Sequence, residues 1–191
     1  MIFINKIIFG LYHRLLSAHS SFRVAYFIYL WKNQLSIGLN FQFDRTSSID
    51  MQSGDAQLVV YNNVYFRKYC NIICSNNGLL TIGKNVFFNN YCSINCLQKI
   101  SIGENSIFGE GIKIYDHNHR FINNDINIAE QGHSFGEINI GSNCWIGSNV
   151  IILKGVTIGD NVVIGANCLI YKSIPANMIV KNQSELIFDT I

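Results

Sequence analysis

The run IGSNCWIGSNVIILKGVTIGDNVVIGANCLI, residues 140–170, decides the fold. Isoleucine recurs in it at every sixth position: Ile140, Ile146, Ile152, Ile158, Ile164 and Ile170. Glycine follows Ile140, Ile146, Ile158 and Ile164, and a second small or β-branched residue stands four places on, at Cys144, Val150, Val156, Val162 and Cys168. A period of six fits neither the 3.6 of a helix nor the 2.0 of a free-standing strand. It fits a solenoid in which each six-residue unit is a short strand plus a turn, three units making one triangular coil. Parallel backbone pairing then stacks the coils about 4.8 Å apart.

Working outward, the same pattern reaches back to residue 37 with wider spacing. The inward positions are Ile37, Phe43, Ile49; Val60, Phe66, Ile72; Ile82, Phe88, Ile94; and Ile102, Phe108, Ile114. With the six isoleucines they predict six coils and a prism about 29 Å long. Extra residues between the early coils bulge at one corner. One proline in 191 residues, with abundant Asn, Gly and Ile, suits such a prism, and the length allows one domain with a real core. A net charge of +2 with only 14% charged residues argues against a dedicated nucleic-acid binder.

The expected organisation is an α-helical N-terminal cap over 1–34, a β-helix over 35–180 and a C-terminal tail over 181–191. Met1 to Leu16 reads as an amphipathic helix; Ser20 or Ser21 caps a second one carrying Val24, Phe27, Ile28, Leu30 and Trp31. Lys6, His13 and Arg14 interrupt any secretory or membrane-spanning apolar run. A cap sealing the solenoid is the favoured role, and weak peripheral contact with the inner face of the membrane is the alternative.

From Ile114 to Ile140 the repeat is silent for 26 positions, so a long loop, 115–139, leaves the prism between the fourth and fifth coils. Such loops are usually functional. This one opens Tyr115-Asp116-His117-Asn118-His119-Arg120-Phe121 and later carries His133, gathering three of the five histidines. Cys70, Cys92, Cys144 and Cys168 occupy the slot for a small buried residue, and the 22-residue offset of Cys70/Cys74 and Cys92/Cys96 equals one early coil. Buried free thiols, no metal and a reducing compartment, the cytoplasm, are expected.

The repeat, the Asp116-His117-Asn118-His119 opening and the run Cys144-Trp145-Ile146-Gly147-Ser148 together resemble the left-handed β-helix, hexapeptide-repeat acyltransferases, especially the branch with galactoside, maltose and streptogramin acetyltransferases and the O-acetyltransferases of bacterial surface polysaccharides. The resemblance covers about residues 82–180. It implies the left-handedness, a homotrimer with active sites between subunits, and acetyl-CoA along the groove as acyl donor. Acetyl transfer needs a base, oxyanion donors and a pantetheine slot. By the resemblance His119 holds the place of the catalytic histidine, with Asp116 or a loop carbonyl orienting it and His117 as helper or as a polar loop residue. Ser148 offers a backbone N–H to the thioester; Trp145 and Gly147 line the same groove; Gly165 and Ala166 run close to pantetheine. Lys172 and Lys181 meet the CoA phosphates, and Asn89 matches a substrate-contacting asparagine. After Ile174-Pro175-Ala176-Asn177 the chain departs from the family's Gly-Asn-Pro stretch, which puts the adenine end of the site in question.

The expected activity is therefore O-acetylation of a sugar hydroxyl, in capsule, O-antigen or exopolysaccharide assembly. N-acetylation of a nucleotide-linked amino sugar and a serine acetyltransferase-like activity are the alternatives. A zinc-dependent carbonic anhydrase on this fold needs a third histidine one or two coils upstream, and none occurs between His19 and His117.

Overall fold

Every coil takes the register that the isoleucine spacing dictates. The structure, a computed structural model, describes residues 22–52 and 54–182. The predicted helix over residues 1–16, the Ser20/Ser21 cap and most of the tail lie outside the described residues.

The chain winds as a parallel β-solenoid with three faces, of six, seven and six strands. On the first face Ile37 pairs with Val60, Val60 with Ile82, Ile82 with Ile102, Ile102 with Ile140 and Ile140 with Ile158. On the second, Phe43, Phe66, Phe88, Phe108, Ile146 and Ile164 follow one another in the same way. The third carries Ile49, Ile72, Ile94, Ile114, Ile152 and Ile170. All of these are buried except Ile37, which packs partly buried against the core. A seventh turn begins: Ile174 bridges to Ile158, and strand Ile179–Val180 pairs with Val163–Ile164.

Phenylalanine fills the wider early coils by stacking. The rings of Phe66 and Phe88 lie 4.3 Å apart and stacked, as do those of Phe88 and Phe108, whereas Phe43 meets Phe66 edge-on at 5.8 Å. The six cysteines are free and buried.

Corners set the pitch. At the corner between the first and second faces, the third residue after the inward one is left-handed in every coil, and it is always asparagine: Asn40, Asn63, Asn85, Asn105, Asn143, Asn161 and Asn177. Asparagine tolerates that backbone better than other residues with a Cβ. Its amide also bonds to the next coil, as in Asn63 to Asn85 at 3.0 Å and Asn85 to Asn105 at 2.9 Å.

At the N-terminal end, residues 22–30 are helical. Val24, Phe27 and Trp31 pack against the core. The Arg23 guanidinium donates to the carbonyls of Asp44 (2.8 Å) and Ser47 (2.9 Å), tying the helix to the first coil. Among the described residues no helix is long and apolar enough to cross a membrane.

The excursion after Ile114 has structure of its own. Strands His117–His119 and His133–Phe135 form an antiparallel hairpin, with a short 3-10 turn at Ile128–Glu130 near its far end. The Gln131 side chain accepts from the Asn123 N–H (3.0 Å) and donates to the carbonyls of Asn123 (2.7 Å) and Ile126 (2.8 Å), which closes the loop on itself.

Candidate active site

Two features rise from this frame, a groove on the second face and the histidine hairpin. The groove is a cleft of about 420 Å³. Trp145, Gly147, Ser148, Gly165, Ala166 and Lys181, all named from sequence, line it together with Gly109, Val163, Ile164, Ile179 and Val180. Lys172 lies outside this lining, its ammonium 5.6 Å from the ring of Tyr171.

A glycine column keeps the groove open. A Cβ on Gly109 would stand 2.6 Å from the Ser148 nitrogen, and one on Gly147 would stand 2.7 Å from the Ala166 nitrogen. Bare glycine therefore leaves two successive backbone N–H groups uncovered. Neither donates to a protein acceptor among the described residues. They form a ladder of free donors about one coil apart, suited to carbonyl oxygens of an extended amide chain or a thioester. Trp145, 55% exposed, stands at the edge of the same strip. Gly109 was not singled out from the sequence. Its place one residue after inward Phe108, in the column of Gly147 and Gly165, is the signal that would have found it. Asn89 occupies that column one coil earlier. Its side-chain oxygen accepts from the Asn90 N–H (2.9 Å) and Arg67 Nη1 (3.2 Å).

The hairpin is anchored by Asp116. This carboxylate is fully buried. It accepts from the backbone N–H groups of Leu97 (3.0 and 3.1 Å), Gln98 (2.8 Å) and Lys99 (2.9 Å). Its Oδ1 also lies 3.1 Å from His117 Nδ1. Asp116 thus meets His117 directly; among the described residues no hydrogen bond or ion pair joins it to His119. His117 and His119, two apart on one strand, share a face of the hairpin, and His133 is the cross-strand partner of His119. The His119 and His133 rings are 4.5 Å apart, and His133 meets His117 edge-on at 5.3 Å. Burial, and then the charges of His119 and His117, hold the His133 imidazole below its ordinary pKa. His117 is mostly covered, its side chain 17% exposed; His119 is open to solvent.

The two features stand at opposite ends of the third face. Ser148 and Asn149 turn into it, whereas Tyr115, in register with Leu153, leaves it for the hairpin. Four residues of strand, about 13 Å, separate them. No group of His, Cys, Asp and Glu that could hold a metal occurs among the described residues.

Residues 137–172 match the family model described as bacterial transferase hexapeptide (six repeats). No curated protein matches the sequence significantly. Among solved structures, galactoside acetyltransferase in complex with coenzyme A is 31% identical over 64% of this chain and 60% of its own, with a TM-score of 0.57. A hexapeptide-repeat acetyltransferase from Vibrio cholerae is 28% identical over 54% of this chain and 57% of its own, at a TM-score of 0.50. A mutant of AntD, an N-acyltransferase from Bacillus cereus, in complex with dTDP and coenzyme A, shares the fold over 79% of this chain and 80% of its own, at 22% identity and a TM-score of 0.67. Residues 137–172 therefore carry the six-repeat hexapeptide pattern of that family model. The chain spans less than two thirds of the length of the Vibrio and galactoside enzymes.

Proposed function

We propose that this protein is an acetyl-CoA-dependent O-acetyltransferase that acts on a sugar hydroxyl in the assembly of a surface polysaccharide. The observation that carries the reading is the groove: six of the seven residues matched to a cofactor role in sequence line one cleft, over a column of glycines that bares the Ser148 and Ala166 N–H groups. Pantetheine lies along this column, the thioester carbonyl meets Ser148 N–H, and Lys181 meets the nucleotide phosphates. Galactoside acetyltransferase, whose structure contains coenzyme A, supports this assignment.

His119 serves as the general base. Of the two histidines on that strand it is the one open to an acceptor, whereas Asp116 spends most of its hydrogen bonding on the solenoid backbone and fixes His117 at the root of the hairpin. Acetyl transfer then runs as one exchange. His119 takes the hydroxyl proton, the oxygen attacks the thioester carbon, and the collapsing intermediate expels the CoA thiolate, which recovers the proton. A second reading makes His117 the base, because a carboxylate on Nδ1 orients an imidazole.

The distance across the third face implies that the hairpin of one copy closes the groove of the next. The expected assembly is a trimer of 21.6 kDa chains with three shared sites, working in the cytoplasm, with the N-terminal helices as a cap of the prism. Light scattering tests the assembly, and a monomer at micromolar concentration would remove the shared site. Release of CoA thiol from acetyl-CoA with a panel of sugars and sugar nucleotides tests the activity. Transfer only to amino groups, or none to any saccharide, would overturn O-acetylation.

A further inference from the structure

At the corner between the second and third faces, the third residue after each inward one turns left-handed in five successive coils. Those residues are Tyr69 (φ 58°), Tyr91 (φ 60°), Gly111 (φ 73°), Asn149 (φ 57°) and Asn167 (φ 60°). Glycine and asparagine suit that backbone; a bulky residue there is an outlier. The first corner solves the same problem with asparagine in every coil. Two tyrosines are thus held where asparagine would serve folding better, and strain that folding does not require concentrates at binding sites.

Neither ring contributes to the core. Tyr69 is 51% and Tyr91 54% exposed, and the two stack at 5.0 Å with planes 12° apart, forming an open aromatic ledge. Below and beside it the same corner projects Arg45, Arg67 and Lys68 to solvent. Asp44, the nearby carboxylate, accepts from the Thr46 N–H (2.9 Å) and hydroxyl (2.6 Å); it offsets one of these three cations, and the corner keeps a net positive charge. Above it, Tyr91 lines a recess of about 390 Å³ with Glu110, Gly111, Lys113, Ser148 and Asn149. Ser148 lines both this recess and the glycine-floored groove, so the two cavities meet at the residue proposed to hold the thioester.

We propose that the Tyr69–Tyr91 ledge, with Arg45, Arg67 and Lys68, is the acceptor subsite, and that it selects a saccharide carrying a carboxylate or phosphate. The proposal rests on the acetyl-transfer reading above and specifies its acceptor. The apolar C–H face of a sugar ring lies on the tyrosines. Its anionic group meets the guanidinium forks. A hydroxyl of the same or the adjoining sugar then enters the recess at Ser148.

The test is the double variant Tyr69→Asn/Tyr91→Asn in the full chain, because asparagine is the residue this corner itself uses in later coils. Saturation-transfer NMR is recorded with galacturonate, glucose 1-phosphate and neutral glucose, alongside the melting temperature, the mass by light scattering and CoA binding by calorimetry. The wild type binds an acidic sugar in preference to glucose; galacturonate alone identifies a carboxylate acceptor, and glucose 1-phosphate alone a phosphorylated one. The variant keeps its mass and its CoA affinity, melts at the same temperature or about 2–4 °C higher, and binds the acidic sugar at least about tenfold more weakly. Unchanged sugar binding in the variant, equal binding of glucose, or no acidic-sugar signal from the wild type would overturn the subsite. A drop in mass would make the ledge a contact between copies, and a lower melting temperature would make the tyrosines structural; each result also overturns it. Loss of CoA binding in the wild type, with sugar binding still dependent on the tyrosines, would sink acetyl transfer and leave the ledge standing.

Discussion

Removing the Asp116 carboxylate should unfasten the hairpin, and the cost can be worked from its contacts. Three backbone N–H groups, of Leu97, Gln98 and Lys99, converge on its two oxygens at 2.8–3.1 Å in a site with no solvent exposure of the carboxylate. Asp116→Ala leaves all three donors without that partner. A donor stranded in a buried site costs about 1–3 kcal/mol. Gln98 is exposed and Leu97 and Lys99 are only half-buried, so water can reach them and the low end applies, about 3 kcal/mol in all. For a chain of this size that corresponds to a fall in Tm of roughly 6–12 °C. Asp116→Asn keeps the shape and one acceptor oxygen but turns an N–H₂ group toward the donors, so it should lose about half as much. Circular dichroism melts of the three proteins, checked by urea titration at constant m, give the comparison. The asparagine variant should also lose turnover beyond its loss of stability, because His117 no longer has a carboxylate to fix the root of the hairpin. An Asp116→Ala protein melting within about 2 °C of wild type would refute the reasoning, since the cluster would then hold nothing in place.

Two further outcomes follow from the site. Gly165→Val should fold, because a Cβ there meets only the Val180 carbonyl at 3.4 Å and Lys181 Cα at 3.8 Å; the added bulk enters the groove, so acetyl-CoA KM rises sharply in steady-state kinetics while Tm stays close to wild type. His133 is held below its ordinary pKa, so the folded chain gives up that proton more readily than the unfolded chain does. Stability therefore rises with pH through the histidine range and is lost as pH falls below about 6.5. Denaturation between pH 5 and 8 should show that loss, and His133→Gln should flatten it.

The perfect six-residue spacing from Ile140 to Ile170 made the late coils legible, and the phenylalanines carried the register back to residue 43, because inward positions in a stacked solenoid answer to one neighbour above and one below. The cleft was legible for the same reason: Gly147, Ser148, Gly165 and Ala166 sit at fixed offsets from inward isoleucines. Gly109 was harder to find, since its role depends on which backbone nitrogen a side chain would cover in the next coil, a contact 39 residues away in sequence. The hairpin was read as a loop because His117-x-His119 and His133-x-Phe135 alternate without the β-branched residues that mark strands. Asp116 could be placed beside a histidine from sequence, but its preference for His117 is set by the turn at Leu97–Lys99, one coil earlier. Strand Ile179–Val180 follows an irregular stretch that the repeat does not phase.

The measurement that bears most directly on the account is the turnover of His119→Ala beside His117→Ala with acetyl-CoA and a saccharide acceptor. A positioned base contributes on the order of 10²–10⁴-fold, so His119→Ala should lose kcat on that scale with acetyl-CoA binding unchanged, while His117→Ala loses within about tenfold. The ascending limb of the wild-type pH–rate profile should vanish with His119. Full activity in His119→Ala, or the larger loss in His117→Ala, would contradict the assignment of the base.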